Sequence, residues 1–213
     1  MKSKKKVIII YGPPGAGKGT QAQHLAKELN IPQVSTGDLF RAEIAKGSPL
    51  GVETNALIKD GKLVPDRITS EMVKNRITKA DAVGGYILDG YPRNISQLKG
   101  YLEFDQPTHA VLITLNDEEA VKRLAGRRTC EGCGKIYHVE YNPPKVADVC
   151  DECGAMLIQR ADDQPEAIKE RLRIYHENTE PIIIKFEEMG ILKRVDGGGS
   201  IDEVYQGVKE AIQ

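Results

Sequence analysis

The chain has 213 residues, 40% of them hydrophobic, which is enough for one well-buried core at a size where a single domain is the default. Lys and Arg number 30 against 31 Asp and Glu, so the net charge of −1 excludes bulk attraction to nucleic acid or to an anionic membrane. Any anion must be held by local clusters.

The opening Met1-Lys2-Ser3-Lys4-Lys5-Lys6 is basic like the first region of a signal peptide, but the apolar run behind it, Val7 to Tyr11, is too short for export or for a membrane span. The expectation is a cytosolic chain with no membrane partner and with Lys4, Lys5 and Lys6 as a solvated tail. In such a reducing compartment the four cysteines are more often metal ligands or plain thiols than disulfides.

Val7-Ile8-Ile9-Ile10-Tyr11 is a continuous β-branched run ending in glycine, the pattern of a strand buried on both faces of a parallel sheet, and it is expected at the centre. From Lys18 to Leu29, Ala22, Leu25, Ala26 and Leu29 recur at helical spacing until Asn30 and Pro32 end the helix. The stretch 35–64 is helical and polar with no strong strand. Tyr86 to Asp89 and Ala110 to Leu115 read as further strands, with helices from about Ile95 and about Asp117. The alternation predicts an α/β fold, a parallel sheet with helices on both faces.

The stretch 126–163 is rich in Cys, Gly, Pro and charge and, like 35–64, reads as an insertion at one edge of the core. Asp163-Gln164-Pro165 offers an N-cap with proline close to the first turn of a long helix reaching Glu188. Ile191 to Val195 is a last strand, and Ser200 with Glu203 makes a capping box for the final helix. The sequence shows no internal repeat, low-complexity tract or flexible interdomain linker.

Between the first strand and first helix lies Gly12-Pro13-Pro14-Gly15-Ala16-Gly17-Lys18-Gly19-Thr20. Strand, glycines and a helix opening on Lys-Gly-Thr place backbone N–H groups and a positive helix end around one anion, with Lys18 adding a point charge. Gly12-x-x-x-x-Gly17-Lys18 fits the nucleotide-phosphate loop, but Gly19 occupies the usual hydroxyl position and Thr20 follows it, which weakens a direct Mg²⁺ contact from Thr20. The loop by itself implies only a bound nucleoside triphosphate.

Cys130-x-x-Cys133 and Cys150-x-x-Cys153, 16 residues apart, match the spacing of a structural zinc site, and Gly134 and Gly154 after each pair suit tight knuckles. Four sulfur ligands would leave zinc no open position, so its role would be to stabilise. A disulfide pair or four unliganded thiols stand as alternatives.

The loop reads G-x-P-G-x-G-K-G-T and is followed in order by Ser35-Thr36-Gly37-Asp38, Gly61-Lys62-Leu63-Val64-Pro65, Asp89-Gly90-Tyr91-Pro92-Arg93 with Gln97, Gly126-Arg127-Arg128, and Arg160 to Arg171. Together these segments resemble the adenylate kinases, within the nucleoside monophosphate kinases, over nearly the whole chain. The resemblance implies reversible transfer of the terminal phosphoryl group from MgATP to AMP, giving two ADP. The fold it implies is a doubly wound sheet of P-loop NTPase type spanning 1–213, with 35–64 as a nucleoside monophosphate-binding insertion and 126–163 as a lid.

By the same resemblance Gly15, Ala16, Gly17, Lys18, Gly19 and Thr20 hold ATP phosphates, and Arg123, Arg127, Ile136, Tyr137 and Gly199 complete the ATP site. Thr36, the backbone of Lys62, Leu63 and Val64, and Gln97 would read the adenine of AMP. Arg41, Gly90, Tyr91, Pro92, Arg93, Arg160 and Arg171 would hold the rest of it. Lys18, Arg93, Arg127, Arg160 and Arg171 are the cations expected to neutralise charge on the transferring phosphoryl group, with Asp89 ordering Mg²⁺ through water. Arg171 could instead be an ordinary helix-surface arginine and Asp89 a turn cap. The AMP phosphate is already ionised at neutral pH, so no general base is required.

Some members of the resembled family carry a zinc lid, and this chain is similar to that subgroup, acting on ATP, AMP and ADP as a monomer. A UMP or CMP kinase is the nearest alternative, disfavoured by the long cysteine-bearing stretch. A zinc-ribbon ATPase acting on nucleic acid is disfavoured by the balanced charge and an aromatic content of 5%.

Overall fold

A computed structural model of the chain describes residues 5–213. Its elements run β1 (Lys6–Tyr11), α1 (Lys18–Leu29), β2 (Gln33–Ser35), α2 (Thr36–Ala45), α3 (Pro49–Lys59), α4 (Asp66–Ile77), β3 (Gly85–Asp89), α5 (Ile95–Leu102), β4 (His109–Thr114) and α6 (Asp117–Gly126). They continue with β5 (Arg127–Cys130), β6 (Ile136–His138), β7 (Leu157–Ile158), α7 (Pro165–Ile174), α8 (Glu180–Glu188), β8 (Leu192–Asp196) and α9 (Ile201–Ala211). A parallel sheet in the order β2-β3-β1-β4-β8 forms the core, and β6-β5-β7 make a separate antiparallel sheet.

The apolar run of β1 divides its side chains between two cores because a strand alternates faces. Val7, Ile9 and Tyr11 pack with Val73 of α4, Leu98 and Tyr101 of α5, and Ile182 and Phe186 of α8. Ile8 and Ile10 pack with Ala22 and Leu25 of α1 and Val204 and Val208 of α9. Covered on both faces, β1 can afford no polar residue inside it, which is why alternation is absent from its sequence.

Helix ends follow local chemistry. α1 stops where Asn30 turns left-handed at φ 51°, a conformation asparagine tolerates. Ser35, Ser48, Asn94 and Asn116 accept N-cap hydrogen bonds at α2, α3, α5 and α6. The expected capping box of Ser200 and Glu203 is present at α9.

Four features depart from the expectation. β2 is a three-residue strand that periodicity cannot register, pairing with β3 through Gln33, Val34 and Ser35. α4 carries apolar residues too sparsely to stand out. The helix from Pro165 to Glu188 is interrupted by a π-helical turn at Tyr175–Thr179, where the N–H of Glu180 reaches back to the Tyr175 carbonyl. Pro181 cannot donate to Glu177 and its ring would press on that carbonyl, and the wider turn accommodates it. Asp163 does not cap this helix: the capping position is Gln164, with no side-chain bond, and the Asp163 carboxylate is taken by arginines.

The basic start is also more ordered than a solvated tail. Lys5 pairs with Asp105 at 2.5 Å and lies over the Tyr86 ring, and Lys6 opens β1; Lys4 lies outside the described residues.

The antiparallel sheet has its own small core of Cys130, Tyr137, Cys150 and Leu157, with Ala155 against it. Among the described residues no helix is long and apolar enough to cross a membrane.

Candidate active site

From β1 the chain goes first to β2 and β3 on one side, then crosses to β4 and β8 on the other. The crevice at the carboxyl ends of β1 and β3, where this reversal occurs, is where open α/β sheets bind ligands. The loop from Gly12 to Gly17 and the loop from Gly90 to Asn94 open onto it.

Gly17 is the N-cap of α1 with φ 81° and no side-chain cap, so the first N–H groups of α1, which include those of Gly19 and Thr20, keep no partner from a capping residue. No Cβ would clash at Gly17; the positive φ alone selects glycine. The Lys18 ammonium donates to the carbonyls of Gly12 and Pro13, both at 2.8 Å. Burial lowers its pKa to about 7, with Asp89 opposing the shift and Arg93, Arg171 and Arg127 adding to it.

Asp89 ends β3 with its carboxylate over the loop, where a Cβ on Gly19 would stand 3.4 Å from Oδ2. Gln33 donates to the same oxygen at 3.0 Å. Burial raises the Asp89 pKa, partly offset by Lys18. At Gly90, φ is 77° and a Cβ would stand 2.8 Å from Arg93 Nη2 and 3.1 Å from Thr36 Oγ1. The Gly90 carbonyl accepts from both, from Arg93 Nε at 2.7 Å and Thr36 Oγ1 at 2.8 Å.

The arginines form one electrostatic group held in two ways. Arg127 grips Asp163 through Nε at 2.7 Å and Nη2 at 2.5 Å. Arg171 donates to Asp163 Oδ1 at 3.0 Å and to the Asp162 carbonyl at 2.9 Å, and pairs with the Asp162 carboxylate at 3.1 Å. Arg41 pairs with Asp38 at 2.5 Å. Arg93 and Arg160 differ. Arg160 donates to Thr129 Oγ1 at 2.8 Å, and neither it nor Arg93 nor Lys18 forms an ion pair with a carboxylate among the described residues. Burial lowers the pKa of Arg160 to about 9, with Arg127 and Arg41 adding to it, and burial followed by Arg171 lowers that of Arg93.

Asp163 has no exposed surface and neutralises two guanidinium groups, each exposed by less than a fifth. Removing a partner from such a cluster leaves buried charge behind, so Asp163→Ala is expected to destabilise the fold by about 3–5 kcal/mol. A urea midpoint unchanged from the parent would refute that role.

The other expected contacts are distributed more widely. Gln97 accepts from the Arg93 backbone N–H and donates to Asp66 Oδ1, both at 2.8 Å. Arg123 bridges Glu119 and the Gly197 carbonyl, tying α6 to the loop that carries Gly199. Ile136 and Tyr137 lie on β6, but the Tyr137 side chain turns into the cysteine cluster, where its hydroxyl accepts from the Asp151 N–H at 2.9 Å. Tyr91 is also buried, its hydroxyl bonded to Ser70, and Pro92 accepts from the Tyr11 hydroxyl. Lys62 pairs with Asp60 at the surface, Leu63 is half-buried and Val64 is buried.

The four cysteine sulfurs all lie within 4.8 Å of one another. The Sγ atoms of Cys130 and Cys153 are 3.3 Å apart and those of Cys133 and Cys150 are 3.6 Å apart, too far for a disulfide at about 2.05 Å and near the edge of a thiolate tetrahedron, about 3.8 Å for zinc. The Cys133 N–H points at Cys130 Sγ, as a thiolate favours. The donor set fits a closed four-coordinate metal site.

A profile of the family described as adenylate kinase matches residues 10–191. The adenylate kinase of Thermodesulfovibrio yellowstonii is 47% identical over 206 residues, covering 94% of this chain and 96% of that protein. The chain belongs to the adenylate kinase family. The adenylate kinases of Ruminiclostridium cellulolyticum and Clostridium beijerinckii are 46% and 44% identical, each alignment covering 96% of this chain. The adenylate kinase profile spans every arginine and cysteine described above and stops short of Gly199.

Sequence reasoning missed the acidic and amide residues that hold the side chains of the site. Asp162 and Asp163 stand between Arg160 and Arg171, a signal that pairing was available, but the proline after them suggested a cap. Gln33, Asp66 and Asn94 gave no signal, because nothing local shows which distant side chain an exposed-looking polar residue will meet.

Proposed function

We propose that this chain transfers the terminal phosphoryl group of MgATP reversibly to AMP, giving two ADP. Lys18, Arg93 and Arg160, three recessed cations without carboxylate partners beside Arg127 and Arg171, carry this reading. Recessed charge with no carboxylate paired directly to it is costly unless an anion supplies that partner. Two nucleotides meeting end to end through their phosphates are such an anion.

In this reading the Gly15 to Thr20 backbone and Lys18 hold the ATP phosphates, and Arg41 and Arg93 hold the AMP phosphate. Arg127, Arg160 and Arg171 surround the group in flight, whose loose transition state needs position and charge more than covalent help. Lys18 would leave the carbonyls of Gly12 and Pro13 for phosphate oxygens. Asp89, held by Gln33, would order the waters of the magnesium that arrives with ATP. Arg123 and the backbone of Ile136, Tyr137 and Gly199 would border the ATP base. Thr36, Lys62 to Val64 and Gln97 would border the AMP base.

The segments 35–64 and 126–163 would act as closing pieces, excluding water from the transferring group. The cysteines would hold zinc as a structural ion in the second piece. By likeness to the family the chain would act as a monomer, and four cysteines grouped as metal ligands rather than disulfides suit a reducing, cytoplasmic setting.

The decisive assay offers ATP with a panel of nucleoside monophosphates and follows diphosphate against free phosphate. ADP from AMP is expected, with little from UMP or CMP; free phosphate as the main product would overturn the reading.

Lys18 gives a pH signature. With its pKa lowered to about 7, the free side chain is largely neutral in mild alkali, and phosphate binding favours the charged form. ATP binding must then take up a proton, and affinity should fall about tenfold per pH unit above the lowered value until the bound-state pKa is reached. Calorimetry at about pH 8 in buffers of different ionisation enthalpy should register close to one proton taken up. No uptake would show that Lys18 is already charged before ATP arrives.

A further inference from the structure

Gln97 is 2% exposed and its amide is held at both ends. Its Oε1 accepts from the Arg93 N–H and its Nε2 donates to Asp66 Oδ1. Asp66 begins α4, and the same oxygen accepts from Asn94 Nδ2 at 2.8 Å, while Asn94 Oδ1 accepts from the Gln97 N–H at 2.8 Å. Each of these four bonds joins a donor to an acceptor. A turned-over Gln97 amide would set its oxygen against a carboxylate and its NH₂ against an N–H.

The geometry points to Asp66 as a positioning residue that fixes the Gln97 amide and thereby selects a 6-aminopurine over a 6-oxopurine monophosphate. The inference rests on Gln97 reading the acceptor base. An amide has two N–H donors and two lone pairs, and Asp66 and Arg93 take one of each. One N–H and one lone pair remain. Adenine offers an amino donor at position 6 and an acceptor at N1, which match them. Hypoxanthine reverses both, with an acceptor at O6 and a donor at N1–H. A free amide could turn over and satisfy hypoxanthine, but a carboxylate can only accept, so Asp66 forbids the turn.

As a helix-start aspartate Asp66 also favours α4 electrostatically, and a change in stability alone would not distinguish the two roles. The test is the ratio of kcat/KM for AMP to that for IMP, read from ADP and IDP formation. Asp66→Asn can accept or donate and should lower the ratio about tenfold, the scale of one or two net hydrogen bonds, through a higher KM for AMP and a lower one for IMP. Asp66→Ala, which admits water, should act in the same direction and serves if the first variant melts early.

In a Gln97→Ala background, Asp66→Asn should leave the ratio where Gln97→Ala alone has put it. An unchanged ratio in a folded Asp66 variant overturns the inference, as does an equal shift with Gln97 absent. If Gln97→Ala alone preserves the parent ratio, the base-reading assignment itself fails, and the lock with it.

Discussion

Arg93→Met is expected to lower kcat for ADP formation by about 10³ while leaving the melting temperature unchanged or higher. Arg93 rests on one carbonyl, that of Gly90, and meets no carboxylate among the described residues, so the folded protein gains little from its charge. Burial and the neighbouring Arg171 lower its pKa, which means the fold works against the guanidinium that it positions. In the proposed reaction, binding and transferring a phosphoryl group is where that charge would be used. Arg93→Lys should recover only part of the loss, because an ammonium cannot form the planar fork. A loss below about tenfold in steady-state kinetics would remove Arg93 from the chemistry. Arg41, already satisfied by Asp38, should cost less when removed.

The second large effect concerns the cysteines. Stripping metal with a strong chelator, or replacing Cys150 by serine, should lower Tm by about 10 °C or more, a loss of a few kcal/mol at about 2–4 °C per kcal/mol for a chain of this size. The reason is the meagre core around the cluster: Cys130, Tyr137, Cys150 and Leu157 are buried there, and two of these four are themselves ligand candidates. With four sulfurs engaged, an ion there would have no open position for substrate or water. Turnover should therefore persist in the cold after stripping. Metal-free protein that melts with the untreated protein would dismiss the site, and cold turnover lost while the fold and closure remain intact would assign the ion to chemistry.

The parts of the fold that sequence made legible are those whose cause is local. Five consecutive apolar residues at β1 require cover on both faces, and both cores are there. Ser200 and Glu203 sit three residues apart, and their reciprocal bonds form as that spacing dictates. β2 escaped because three residues carry no period, and it forms by pairing with β3. Asp163 was misread for the same reason in reverse: its nearest chemistry suggested a cap, but Arg127, 36 positions earlier, offered a stronger partner. The glycine loop and the cysteine pairs were legible as motifs. The residues that hold the site's side chains were not, since Gln33, Asp66 and Asp163 acquire their partners only when distant segments meet.

The π turn at Tyr175–Thr179 has a bearing on how one long rod serves two masters. In an uninterrupted α-helix, Arg171 and Ile182, eleven residues apart, would lie about 20° from one another around the axis. Here Arg171 points to Asp163 in the cleft, whereas Ile182 is sealed in the core with Phe186. The wide turn supplies the angular offset between these demands. It works as a phase shifter: the same residues wound as one continuous α-helix would have to choose between aiming the guanidinium and anchoring the helix.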